Sequence, residues 1–220
     1  MRGLMMDYQL TLPTILRRAE SLFAKKEIVT RLPDRSIHRY TYREFAKRTK
    51  KLAVALRVVG VKQGDRVATL SWNHYQHMEA YFAIPCMGAI VHPLNIRLNP
   101  EDLGYIINHA EDKIIIVDQV LLPLFEKFKN NINVSNVIVI PQINEPLPKG
   151  YLNYEEVVAS GDESQFEAFE GDENTAAFLC YTSGTTGKPK GVMYSHRSIM
   201  LHSMAFLLNC VGMGTFENDV

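Results

Sequence analysis

The sequence predicts an α/β protein: a layered, mostly parallel β-sheet flanked by helices. Three observations lead there. Short, largely apolar runs ("RVATLSW", "AIVHPLN", "KIIIVD", "NVIVIP" and "AAFLCYT") alternate with segments of helical periodicity. Several of these runs are apolar without alternation, so both faces of each strand need cover, which is the situation of parallel strands beneath helices. The third is composition, because 46% hydrophobic residues over 220 positions supply the core that such layers require.

The elements follow in order. Leu12, Ile15, Leu16, Ala19, Leu22 and Phe23 recur at helical spacing, and "EIVTR" and "IHRYT" flank the turn "LPDRS" as a hairpin. Thr41 with Glu44 makes a TxxE capping box ahead of a helix whose one face is Phe45, Thr49, Leu52, Leu56 and Val59, ending at Gly60. After the strand "RVATLSW" a helix runs from His74 to Met87, then comes the buried strand "AIVHPLN". Asn99 and Pro100 supply the N-cap and first position of the next helix. "KIIIVD" is a strand, "LLPLFEKF" centres a helix, and "NVIVIP" and "AAFLCYT" are strands. The acidic stretch between Gly161 and Asn174 reads as a solvated connection containing two phenylalanines. There is no internal repeat.

Charge excludes several function classes. Lys+Arg and Asp+Glu balance at 24 each, so no net field attracts nucleic acid or an anionic membrane, and any phosphate must be bound by local chemistry. Cys86, Cys180 and Cys210 are odd in number, lack CxxC spacing and lie in apolar contexts, which predicts buried free thiols and a cytoplasmic setting. No segment reaches the roughly 18 uninterrupted apolar residues of a membrane span, and the N-terminus lacks the pattern of an export signal.

The stretch "LCYTSGTTGKPKGVMYSHRS" holds three glycines, several hydroxyls and two lysines between an apolar strand and a helix start. Glycine lets backbone N–H groups approach an anion, so phosphate is the expected ligand. Two common cradles are excluded. The pattern GxxxxGK[ST] fails at Thr182 and Pro189, and GxGxxG fails because the glycines stand at 184, 187 and 191.

YTSGTTGKPKG, from Tyr181 to Gly191, resembles the phosphate-binding signature of the adenylate-forming superfamily, which includes acyl-CoA synthetases. "MMDYQLTLPTILRRAESLF", "YTYREF", "GDRVATLSWNHYQHMEAYFAIPCMGAIVHPLN", "INHAEDKIIIVD" and "VMYSHRSIMLHS" extend the likeness to the N-terminal portion of long-chain fatty-acyl-CoA synthetases over nearly the whole chain. The resemblance implies an ATP-dependent fatty acid–CoA ligase acting on medium- to long-chain acids, with ATP, Mg²⁺ and CoA. Thr182, Ser183, Gly184, Thr185, Thr186, Gly187 and Lys188 would bind the phosphates, with Thr182 also helping to hold Mg²⁺. No acid, base or nucleophile is assigned within the chain. Residues 1–170 would form an N-terminal α/β subdomain and residues 171–220 the start of the AMP-binding subdomain. The rest of the large domain and the C-terminal domain of this family lie beyond residue 220, so the chain reads as a fragment that is inactive alone. The resemblance also implies a homodimer of the intact protein, with the early segment contributing to self-association. Three alternatives stay open: another acid-adenylating enzyme of the superfamily, a nucleotide-dependent enzyme of another kind such as a phosphotransferase, and a non-catalytic interaction module if the chain natively ends at residue 220.

Other residues read as structural. His74 and His77, three apart on a helix, lack a third ligand for a metal and are expected to be solvated or capping. Ser195 caps the next helix, and its adjacency to His196 does not make a nucleophile and base. Met200, Met204, Leu207 and Leu208 are expected to form that helix's core face. Lys190 fits a phosphate contact and a solvated side chain equally.

Overall fold

The computed structural model describes residues 5–143, 145–182 and 187–211. It opens with α1 (Leu12–Leu22) and an antiparallel hairpin of β1 (Glu27–Arg31) and β2 (Ile37–Thr41). The capping box forms as expected: Thr41 Oγ1 accepts the Glu44 N–H at 3.3 Å while the Glu44 carboxylate accepts the Thr41 N–H at 2.7 Å. It starts α2 (Tyr42–Val58), which buries Phe45, Thr49, Leu52 and Leu56. Gly60, at φ +101°, closes that helix with a Schellman arrangement, in which Val61 N–H reaches Leu56 O and Gly60 N–H reaches Arg57 O.

The expected alternation then follows. β3 (Arg66–Leu70), α3 (Tyr75–Cys86), β4 (Ile90–Pro93), α4 (Pro100–Ala110) and β5 (Asp112–Asp118) lead to the short α5 (Leu122–Phe125) and β6 (Asn136–Ile140). Asn99 caps α4 by accepting the Asp102 N–H at 2.8 Å. β7 (Leu152–Asn153) and α6 (Tyr154–Ser160) come next, then β8 (Ala176–Thr182), β9 (Lys190–Ser195) and α7 (His196–Val211). β7, α6 and β9 were not among the expected elements. The first two are two and seven residues long, too short to show a period. β9 is an edge strand with exposed side chains, and so has no buried-strand signature.

Seven strands form one sheet in the order β7-β6-β5-β3-β4-β8-β9, parallel except for the β8–β9 pair. β5 shows why the strands read as continuous apolar runs. Ile114 and Ile116 face a cluster with Leu52, Leu56, Ala80, Ile84 and Tyr154, while Ile115 and Val117 face Leu103, Ile106, Phe125 and Phe128. Both faces are covered by helices, so every residue of the run is apolar. The chain changes direction at β3, which takes β4 on one side and β5 on the other. In open α/β sheets the carboxyl ends of the strands at such a point face the ligand crevice.

Two expectations are qualified. The acidic connection is mostly exposed but anchored: Phe169 is buried, its ring stacks on His196 at 4.8 Å, and its N–H donates to Cys86 O at 2.8 Å. Gly161 sits so close to α2 that a Cβ there would stand 2.0 Å from Lys51 O. On α7, Met200 is buried, but Met204, Leu207 and Leu208 are 53%, 61% and 77% exposed. Val192, Met193 and Tyr194 on β9 are exposed apolar residues as well. Periodicity identified residues on a shared face, while cover for that face depends on neighbours: the main partners of α7 are α1, β8 and β9, with His196 also stacked on Phe169. Cys86 is a buried free thiol, as expected, while Cys180 is only half-buried. Burial pushes both thiols up. Cys210 lies where side chains are not described. Among the described residues no helix is long and apolar enough to cross a membrane.

Candidate functional site

The glycine-rich loop joins β8 to β9, at the carboxyl end of β8. Its two roots are held by the antiparallel pairs Tyr181↔Gly191 and Thr182↔Lys190. Gly191 suits a close approach, because a Cβ there would lie 3.1 Å from both Leu179 Cδ1 and Tyr181 Cζ and would crowd those side chains. Tyr181 therefore lies across the neighbouring strand. Its ring packs on His92 with centroids 5.1 Å apart, and its hydroxyl shares a 2.6 Å hydrogen bond with His109 Nδ1 on α4.

Thr182 and Lys188 are exposed on this edge, and Lys188 Nζ stands 4.7 Å from the centroid of the Tyr105 ring. Gly187 has φ +127° with open space where a side chain would go, a backbone conformation for which glycine is suited. Ser183, Gly184, Thr185 and Thr186 lie outside the described residues. The described part of the loop thus offers a hydroxyl, an ammonium and accessible backbone, and no acid, base or nucleophile. Lys190 is also exposed.

Mg²⁺ needs oxygen ligands and is commonly bound through one or two protein groups plus substrate phosphates. Thr182 can give one oxygen to such a site. Among the described residues no group of three or more His, Cys, Asp or Glu side chains forms a cage.

A second polar cluster sits at the carboxyl ends of β3 and β5. Ser71 Oγ donates to Asp118 Oδ1 at 2.7 Å, His74 Nε2 meets the same oxygen at 2.9 Å, and Trp72 N–H donates to Asp118 Oδ2 at 2.7 Å. The residue types are those of a hydrolase triad, and the geometry is not. His74 Nε2 stands 3.0 Å from Ser71 Oγ, but its Nδ1 accepts a backbone N–H, so Nε2 carries the proton of the neutral ring and cannot take one from the serine, whose hydroxyl donates to the carboxylate. His74 Nδ1 accepts the His77 N–H at 3.3 Å and so caps α3, as expected of a capping histidine, but it is buried rather than solvated. His77 bonds Trp72 O at 3.0 Å and Thr69 Oγ1 at 2.9 Å. The pair ties the β3–α3 turn to β5. Sequence spacing hid this cluster because Asp118 is 44 residues from His74.

Ser195 caps α7 as expected, accepting the Ser198 N–H at 3.1 Å. His196 is fully buried, with Nδ1 accepting the Leu12 N–H at 3.3 Å. Burial depresses both His77 and His196 to about 4 from an ordinary 6.5. Unfolded, these rings take up a proton near 6.5, so the unfolded state binds more protons between about 6.5 and 4. Stability therefore falls as pH falls through that window. The melting temperature should decline steadily between pH 7.5 and 4.5, and less steeply in a His77→Gln, His196→Gln double variant. Parallel profiles for the two proteins would show that these rings are not the cause.

Comparison with known proteins adds three findings. The sequence profile of the family described as AMP-binding enzyme matches residues 16–219. The chain is 47% identical over 216 residues to a long-chain-fatty-acid–CoA ligase of Thermus thermophilus, and 38% identical over 209 residues to a medium-chain-fatty-acid–CoA ligase of Ectopseudomonas oleovorans. These alignments cover 98% and 93% of this chain, which spans only 39% and 38% of the length of those relatives. Among solved structures, an anthranilate CoA ligase in complex with anthranoyl-AMP superposes with a TM-score of 0.77 at 28% identity, over 90% of this chain and 37% of that one.

Proposed function

The chain belongs to the AMP-binding enzyme family, and from that membership we propose that it is the N-terminal part of an ATP-dependent fatty acid–CoA ligase acting on medium- to long-chain acids. The observation that carries this reading is YTSGTTGKPKG on the turn between β8 and β9, with Thr182 and Lys188 exposed at the carboxyl edge of the sheet. In the intact enzyme a carboxylate oxygen attacks the α-phosphorus of ATP and expels pyrophosphate. The CoA thiol then attacks the mixed anhydride and expels AMP. Thr182, Ser183, Gly184, Thr185, Thr186, Gly187 and Lys188 hold the β- and γ-phosphates, so that the leaving pyrophosphate is neutralised and in line. This is positioning and electrostatics rather than covalent chemistry. Thr182, together with the phosphates, would hold Mg²⁺, which would supply further charge neutralisation when bound.

Residues 1–170 are assigned to an N-terminal α/β subdomain and residues 171–220 to the start of the AMP-binding subdomain. The apolar surface of β9 and α7 is assigned to packing against further polypeptide, consistent with relatives much longer than this chain. A cytoplasmic location and a homodimer formed through this region complete the proposal.

A second reading, activation of a different carboxylic acid, is favoured by relatives of similar identity that differ in substrate. One, at 39% identity, is a 3-methylmercaptopropionyl-CoA ligase of Ruegeria lacuscaerulensis. Acid-dependent ATP/pyrophosphate exchange by the full-length protein separates the two, using butyrate, octanoate, palmitate, benzoate and 3-methylmercaptopropionate. The fatty acid reading expects the highest kcat/KM with octanoate or palmitate. Preference for one of the other acids selects the second reading, and exchange with no acid rejects both.

A further inference from the structure

Four aromatic side chains from three elements touch in series, in tilted and edge-to-face contacts, up to the ring beneath Lys188. His92 on β4 is the buried end, bonded through Nδ1 to the Asp112 carboxylate at 2.7 Å. Tyr181 on β8 packs on His92 and is tied by its hydroxyl to His109 on α4. His109 packs against Tyr105, one helical turn earlier, with centroids 5.4 Å apart. Lys188 Nζ lies over the outer face of this series, on the Tyr105 ring. The chemistry assigned above uses neither Tyr105 nor His109.

We propose that Tyr105 and His109 are positioning residues for Lys188, forming a ring platform that holds the lysine ammonium at the loop before nucleotide arrives. The inference rests on the assignment of Lys188 to the phosphate tail of ATP. A lysine on an exposed loop has a flexible stem and many rotamers, and ordering it opposes phosphate binding. An ammonium within about 6 Å of a ring centroid is attracted by the negative ring face, which restricts that ensemble in advance. The contact occupies one side of the ammonium and leaves N–H donors on the other for phosphate oxygens. The ring itself is fixed because His109 clamps α4 to Tyr181, at the root of the loop, and Tyr181 rests on the buried His92–Asp112 pair.

Preorganisation of this kind acts when nucleotide binds and persists through the reaction, so its loss raises KM and leaves kcat in place. In the full-length protein, Tyr105→Leu should raise the KM for MgATP in ATP/pyrophosphate exchange about two- to fivefold, the size of one exposed cation–π contact. Tyr105→Phe, which retains the ring face, should restore the wild-type KM. In a Lys188→Ala background, Tyr105→Leu should cause no further change, because Tyr105 acts through that lysine. If Tyr105→Leu lowers the melting temperature, a fluorinated phenylalanine at position 105 replaces it, keeping the shape while draining the ring's negative face. An equal rise in KM in both backgrounds, a fall in kcat alone, or no effect of Tyr105→Leu would overturn the inference. Full activity of Lys188→Ala would instead overturn the phosphate assignment on which it rests.

Discussion

Lys188→Ala and Thr182→Ala should each lower acid-dependent ATP/pyrophosphate exchange in the full-length protein by about 30- to 1000-fold, or roughly 2 to 4 kcal/mol of transition-state stabilisation. The size follows from what the loop is assigned to do. Charge grows on the departing pyrophosphate as the α-phosphorus is attacked, and a fixed ammonium and a metal-ordering hydroxyl stabilise it more than they stabilise bound ATP. Such a loss falls mainly on kcat. Folding should be unaffected, because both side chains are exposed and the strands on either side are held by backbone pairing. Circular dichroism and melting temperature provide the control. Lys188→Arg retains the charge with different geometry and should recover only part of the activity. Unchanged exchange in both alanine variants would place the phosphate site elsewhere.

Arg48→Met should destabilise the protein by about 3 to 5 kcal/mol, the cost of leaving a buried charge without its partner. Arg48 on α2 links three helices. Its Nε donates to Glu79 Oε1 of α3 at 2.7 Å, and its Nη2 donates to Glu155 Oε1 of α6 at 3.0 Å. Glu79 has a fully buried carboxylate whose other oxygen accepts from the Tyr154 hydroxyl at 2.8 Å. Burial raises Glu79 above the ordinary 4.5, and Arg48 opposes that rise. Without Arg48 the carboxyl is pushed higher still. A folded-state value above the unfolded one means that the native protein binds more protons, so the deficit grows as pH rises through the interval between the two. The loss of melting temperature in Arg48→Met should therefore be larger at pH 8 than at pH 5. Glu79→Gln should cost less, because Arg48 keeps its pair with the half-exposed Glu155. A drop in melting temperature under about 2 °C, where roughly 6 °C or more is expected for this loss, would show that the network is dispensable.

Much of the scaffold was legible in the sequence because its signals are local. A capping box, an Asn-Pro helix start and a glycine C-cap each act within a single turn, and Thr41 with Glu44, Asn99 with Pro100, and Gly60 adopt the roles their spacing predicts. Ile114 to Val117 could be read as a strand covered on both faces from four consecutive side chains. The resemblance of the glycine-rich loop was equally local, because its hydroxyls, glycines and lysines fall within eleven consecutive positions. Its exposed Thr182 and Lys188 flank a segment, Ser183 to Thr186, that lies outside the described residues.

What surrounds the loop was decided by tertiary structure. The sequence by itself determined the longer helices and the buried strands, which residues share a face, and which family the loop resembles. It did not determine the sheet order, the cover over α7, the packing of the acidic connection, or the neighbours of Lys188. Tyr181 meets His109 across 72 residues, and Arg48 meets Glu155 across 107. Such contacts require β8 to lie beside β4 and α6 to return against α2. Backbone preference and side-chain period are encoded within a few residues. The meeting of distant side chains depends on strand order and register, which are set when all the layers bury their apolar faces together.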